Sequence, residues 1–249
     1  MKAIGIVGYH HTGKTTMAVA VIRELTQKGY KVASIKDIHN ESYRADSEGS
    51  NSWKHAKAGA TQVFARGLQD SALILTPSPD LKDIIPLLTA DFLVIEGMKH
   101  AALPKIVCAE TTGQLDELID ETTIGISGKI ASELESYHNL PVYCLQNNLE
   151  QLINDILTKT FEILPQSDPD CCSACGKSCF DLAADIVQGR AKREDCVLDG
   201  KKRLRLYVND REIVIVPFVQ NMLKDVISAM TDNLNGIDPS GTIRIEIKR

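Results

Sequence analysis

From residue 1 to about residue 164, short runs of branched apolar residues alternate with longer stretches whose apolar positions recur every three or four residues. The short runs read as strands and the longer stretches as helices, because side chains repeat every two residues across a strand and about every 3.6 around a helix. Strands are expected at Ala3 to Val7, Lys31 to Ile35, Gln62 to Ala65, Ala72 to Leu75, Phe92 to Ile95, Ile106 to Ala109, Thr123 to Ile126 and Val142 to Leu145. Helices are expected at Lys14 to Lys28, with Gly29 as C-cap, and at Ser52 to Ala58, Leu81 to Leu88, Lys129 to Tyr137 and Leu149 to Phe161. Their alternation predicts an α/β fold with a mostly parallel sheet flanked by helices. The polar stretch from Asn40 to Asn51 has no apolar period and is expected to be a mobile loop.

Beyond residue 164 the pattern changes. Pro165-Gln166-Ser167-Asp168-Pro169-Asp170 carries two prolines and no large apolar residue, which marks a boundary. A cysteine-rich segment follows and overlaps a helical stretch, Phe180 to Val187, that ends near Gly189. After residue 200, Leu204, Leu206 and Val208 alternate with polar residues, Asn209-Asp210 can turn, and Ile213, Ile215 and Pro217 continue a second strand. Phe218, Met222, Val226 and Met230 then share a helix face, and Ile243, Ile245 and Ile247 form a third strand. Three units are expected: 1–164, 165–200 with the cysteines, and a small ββαβ unit over 201–249.

Between the first strand and the first helix lies Gly8-Tyr9-His10-His11-Thr12-Gly13-Lys14-Thr15, the spacing of a phosphate-binding P-loop. Wrapping backbone N–H groups around phosphates needs conformations that a side chain obstructs, hence Gly8 and Gly13. The residues expected to hold a nucleotide are Gly8, His11, Thr12, Gly13, Lys14, Thr15 and Thr16. Lys14 would reach the β- and γ-phosphates, Thr15 would offer its hydroxyl to Mg²⁺, and the helix that begins here adds the positive end of its dipole. Such a P-loop NTPase also needs an acid at the end of another buried strand, to hold Mg²⁺ or orient the attacking group. Glu96, closing Asp91-Phe92-Leu93-Val94-Ile95-Glu96-Gly97, meets that need and with Lys14 forms the candidate catalytic pair. Asp37 lies at the same edge as a second candidate.

Composition narrows the setting. With 43% hydrophobic and 24% charged residues, the chain has the balance of a soluble globular protein, and no apolar run approaches the ~18 residues that span a bilayer. A net charge of -5 and a single short basic run, Lys201-Lys202-Arg203, argue against nucleic acid as a partner. A cytoplasmic location is expected. The histidines at 10, 11, 39, 55, 100 and 138 lack a metal-ligand spacing and read as ordinary polar residues.

The cysteines differ. Cys172-Ser173-Ala174-Cys175-Gly176-Lys177-Ser178-Cys179 followed by Cys196 gives C-x2-C-x3-C-x16-C. In a cytosolic chain that clustering reads as metal ligation before disulfides. Four thiolates on Cys172, Cys175, Cys179 and Cys196 suit a [4Fe-4S] cluster; a Cys₄ zinc site and free thiols remain alternatives, and Cys171 can stand in for Cys172.

Gly5 to Thr16, Ser34-Ile35-Lys36-Asp37-Ile38-His39, Asn51 to Ala60 and Val94-Ile95-Glu96-Gly97-Met98-Lys99 together resemble the MobB family of molybdopterin-guanine dinucleotide biosynthesis, over about residues 1–164. The resemblance implies a dimeric GTP-binding adapter with weak intrinsic GTPase activity and Mg²⁺ as cofactor. It also implies as partners the molybdenum cofactor guanylyltransferase and, beyond it, molybdo- or tungsto-enzymes. The family often has histidine where Asp37 stands here. No N-K-x-D signature for guanine is present, and Ser127-Gly128-Lys129 is a candidate base-side loop, so GTP rather than ATP follows from the resemblance alone. The cysteine segment is similar to the small [4Fe-4S] domain of corrinoid iron-sulfur proteins, which usually has four residues between its second and third cysteines where this chain has three. Competing readings are a metal-insertion GTPase, a P-loop kinase and a nucleotide-responsive iron-sulfur redox module.

Overall fold

The computed structural model describes residues 1–166, 175–196, 206–208, 211–213 and 217–231, with Leu234 and Ile243. Strand β1 (Lys2–Gly8) runs into the P-loop, from which helix α1 (Lys14–Gln27) emerges. Met17, Ala18, Val21 and Leu25 make its buried face, spaced as a helix pressed on a sheet requires. Strand β2 (Val32–Lys36) follows, then irregular chain to helix α2 (Asn51–Lys57), whose first turn is capped by the Ser50 hydroxyl accepting from Trp53 N. Strands β3 (Gln62–Arg66) and β4 (Ser71–Leu75) pair antiparallel as a separate two-stranded sheet. After the short α3 (Leu81–Ile84) come β5 (Phe92–Glu96), β6 (Lys105–Ala109), α4 (Thr112–Leu118) and β7 (Thr123–Gly128). A two-residue-stranded hairpin, β8 (Ser136–Tyr137) and β9 (Leu140–Pro141), leads to α5 (Leu149–Lys159).

The main sheet has five strands in the order β2-β5-β1-β6-β7, all parallel. Its strands are apolar almost throughout, because both faces are covered. Ile4 and Ile6 meet Met17, Val21 and Leu25 of α1 and Leu152 and Ile156 of α5 on one face. Ala3, Leu93 and Ile95 meet Ala101 and Leu103 of the β5–β6 connection on the other.

Two expected elements come out differently. Val142 to Leu145 contributes only a bridge at Val142, because the Cys144 carbonyl accepts from the amides of Asn147 and Asn148 and so turns the chain into α5. The helix expected at Lys129 to Tyr137 is a 3-10 turn over Lys129–Ser132 followed by the β8–β9 hairpin, whose turn residues His138 and Asn139 take left-handed φ of 48° and 64°. Helix α4 was not expected. Its sequence, TGQLDEL, holds a glycine and one buried leucine, and what starts it is a cap in which the Thr111 hydroxyl accepts from Gln114 N.

Helix α6 (Cys179–Val187) is capped by Ser178 accepting from Asp181 N at 3.0 Å. Leu182, Ala183 and Cys196 pack with Phe161, Leu164 and Ala102, so this segment lies against the β5–β6 connection. The Gln166 amide accepts from Ala102 N and donates to Ala102 O, at 2.8 and 3.0 Å. Strands β10 (Leu206–Val208) and β11 (Arg211–Ile213) form an antiparallel hairpin, followed by α7 (Pro217–Thr231). Of the third strand expected in that unit, only Ile243 is described, in no regular element, and the rest lies outside the described residues.

Candidate nucleotide site

Parallel register brings the carboxyl ends of β1, β2 and β5 to one edge of the sheet, with Glu96 directly opposite both Ile6 and Lys36. Open α/β sheets bind ligands at that edge. The P-loop crosses it. A Cβ on Gly8 would stand 2.2 Å from the Cys108 carbonyl oxygen, so glycine is what lets the loop leave β1 this close to β6. Gly13 precedes α1 at φ 98°, a left-handed conformation that favours glycine.

Gly8, His11, Gly13, Lys14, Thr15 and Thr16 all line a cavity of about 1750 Å³, while Thr12 is fully buried beneath it. The Thr12 hydroxyl donates to the Tyr9 carbonyl at 2.9 Å, and the Lys14 ammonium donates to the same oxygen at 2.5 Å, so both brace the loop from within. The Thr15 hydroxyl donates to Glu96 Oε1 at 2.7 Å. These two hard oxygens belong to different elements, α1 and β5, and meet beside the phosphate loop, a donor set that fits Mg²⁺ completed by phosphate and water.

Asp37 also reaches the cavity, with its amide donating to the Glu96 carbonyl at 2.9 Å and its carboxylate paired with His39 Nε2 at 2.9 Å. Lys36 was absent from the sequence-based site. Its ammonium sits 3.1 Å from Glu96 Oε1 and 3.4 Å from Thr15 Oγ1. The available signal was a lysine closing a strand immediately before Asp37, which becomes informative only once β2 is known to neighbour β5. Farther along, the cavity reaches Lys82, Lys99 and His100.

Two ionisable groups near the loop are set by their surroundings. Burial pushes the Cys108 thiol up to about 12, against a smaller opposite pull from Lys14, so it stays protonated and is no nucleophile at neutral pH. Tyr9 donates to Glu117 Oε2 at 2.5 Å, and that bond raises the pKa of the phenol.

Cys175, Cys179 and Cys196 do not line the cavity; they share the apolar cluster around α6. Cys171 and Cys172 lie outside the described residues. Among the described residues, no three histidine, cysteine or acidic side chains are grouped to hold a metal, and no helix is long and apolar enough to cross a membrane.

The family model for Molybdopterin guanine dinucleotide synthesis protein B (MobB) matches residues 3–127. A Methanocaldococcus jannaschii protein that carries the molybdopterin-guanine dinucleotide biosynthesis adapter name in provisional form is 30% identical over 254 residues, covering 99% of this chain and 97% of its own length. The Haemophilus influenzae molybdopterin-guanine dinucleotide biosynthesis adapter protein is 32% identical over 139 residues, 53% of this chain and 77% of its own. Among solved structures, Bacillus subtilis MobB superposes with a TM-score of 0.54 at 24% identity, covering 62% of this chain and 98% of its own, a likeness of fold.

Proposed function

Because this chain belongs to the MobB family, we propose that it is a cytoplasmic GTP-binding adapter of molybdopterin-guanine dinucleotide biosynthesis that acts on the molybdenum cofactor guanylyltransferase and, through it, on molybdo- or tungsto-enzymes. The observation that carries the nucleotide part is the meeting of Thr15 and Glu96, 2.7 Å apart, beside Lys14 at the mouth of one cavity. The amides of the P-loop and the start of α1 bind phosphate oxygens, and Lys14 leaves the Tyr9 carbonyl to meet the β- and γ-phosphates. Thr15 and Glu96 would hold Mg²⁺, which supplies neutralisation of phosphate charge. Glu96 also orients the attacking water. Hydrolysis is slow in this reading, since among the described residues no arginine lines the cavity to stabilise charge in the transition state. Titrating GTP and ATP in turn tests the base preference: GTP should bind at least about tenfold tighter, a difference of about 1.4 kcal/mol, and equal affinities would end the GTP reading.

A homodimer is part of the proposal. Its support is the β3–β4 hairpin, which stands apart from the main sheet with Phe64 and Leu73 paired opposite one another and both exposed.

The proposal extends to a [4Fe-4S] cluster on Cys172, Cys175, Cys179 and Cys196. It is supported by their spacing and by the M. jannaschii relative, whose similarity runs through this segment while the H. influenzae match spans 53% of the chain. No chemical step is routed through it. Anaerobic purification should yield iron and acid-labile sulfide together; zinc without sulfide would sink this part and leave the nucleotide site standing.

A further inference from the structure

We propose that Lys36 is the cation that Mg²⁺ displaces from Thr15 and Glu96 when nucleotide binds, a reading that rests on the P-loop taking a Mg²⁺-nucleotide. The Lys36 ammonium lies 3.1 Å from Glu96 Oε1 and 3.4 Å from Thr15 Oγ1, and Thr15 donates to that same glutamate oxygen. One positive charge therefore faces both oxygens that form the metal's donor set.

This placement follows from sheet register. Lys36 and Glu96 are opposite one another in the parallel β2–β5 pair, so their side chains leave the strand ends on the same face. The two ends differ in how freely they can change partner. The Glu96 side chain is only 12% exposed, whereas the Lys36 side chain is 55% exposed. Its flexible four-carbon stem can carry the ammonium elsewhere at small cost. Mg²⁺ binds oxygen at about 2.1 Å, and its charge repels an ammonium in hydrogen-bond contact with the same Glu96 Oε1, which disfavours the two together. Lys36 also lines the cavity that holds Lys14, so the released ammonium moves into the space the phosphates enter. Metal and lysine thus compete for one position, and the lysine partly replaces the metal when none is present.

The test measures binding of a fluorescent GTP analogue against Mg²⁺ concentration for the wild type, Lys36→Met, Lys36→Gln and Lys36→Arg, and again in EDTA. Removing the competing charge should lower the half-saturating Mg²⁺ concentration about threefold in Lys36→Met and Lys36→Gln, the scale of a partly exposed ion pair. It should also weaken metal-free nucleotide binding by a similar factor. Lys36→Arg keeps the charge and should stay near the wild type in both. A lysine that only braces the strand end would leave the Mg²⁺ requirement of the Met and Gln variants unchanged, and that result, or a raised requirement, overturns the proposal. Absence of analogue binding by the wild type at every Mg²⁺ concentration overturns it together with the nucleotide reading.

Discussion

Lys14→Ala raises the Kd for GTP by roughly 100-fold, the scale of about 3 kcal/mol lost with charge-assisted contacts to two phosphates. Lys14 is the first residue of α1 and lines the cavity, and its ammonium is held by the Tyr9 carbonyl at 2.5 Å. That neutral acceptor is exchanged for phosphate oxygens on binding. Alanine is a good helix former at this half-buried helix start, so the fold should survive. Calorimetric titration at saturating Mg²⁺ reads the effect directly, and an unchanged Kd would show that the P-loop does not grip the ligand.

The second large effect is on stability. Lys105, at the start of β6, is 1% exposed, and its ammonium is held by Asp120 Oδ2 at 2.6 Å and the Lys99 carbonyl at 2.5 Å, with the Phe180 ring centroid 5.1 Å away. Those partners come from three places: the turn before β7, the chain after Glu96, and α6 among the cysteines. Lys105→Met fits the volume but leaves Asp120 without its cation, and removing one member of a buried pair costs about 3 kcal/mol or more. Asp120 is 28% exposed and regains some hydration, so the lower figure is expected, with a fall in Tm of roughly 6–12 °C for a chain of this length. Adding Asp120→Asn to that variant should recover part of the loss. A Lys105→Met protein that melts with the wild type would mean the pair contributes nothing net.

Much of the nucleotide site was legible because a P-loop is local: one run from Gly8 to Thr16 lies between a strand and a helix, and Glu96 ends an apolar run at the strand end such a site needs. Lys36 was not legible, since its role depends on β2 lying beside β5, sixty residues away in sequence, and parallel pairing across that distance leaves no local pattern. Lys105 was hidden for a related reason. A lysine heading an otherwise apolar strand reads as an exposed start, and only the turn at Asp120 and the return of α6 bury it. The hairpin at β8–β9 was mistaken for helix because its decisive residues, His138 and Asn139, turn the chain through left-handed conformations that apolar spacing does not report. Val142 to Leu145 has the composition of a strand, yet only Val142 pairs before the turn at Cys144.

The most direct test of the proposed adapter role is this chain's affinity for the guanylyltransferase, by sedimentation or interferometry with GTP and Mg²⁺, with GDP, without nucleotide, and for Lys14→Ala. Complex formation should be strongest with GTP and about tenfold weaker in the other three states, the scale of an ordinary coupling between two binding sites. Equal affinity in all four states, or no complex in any, would contradict the account.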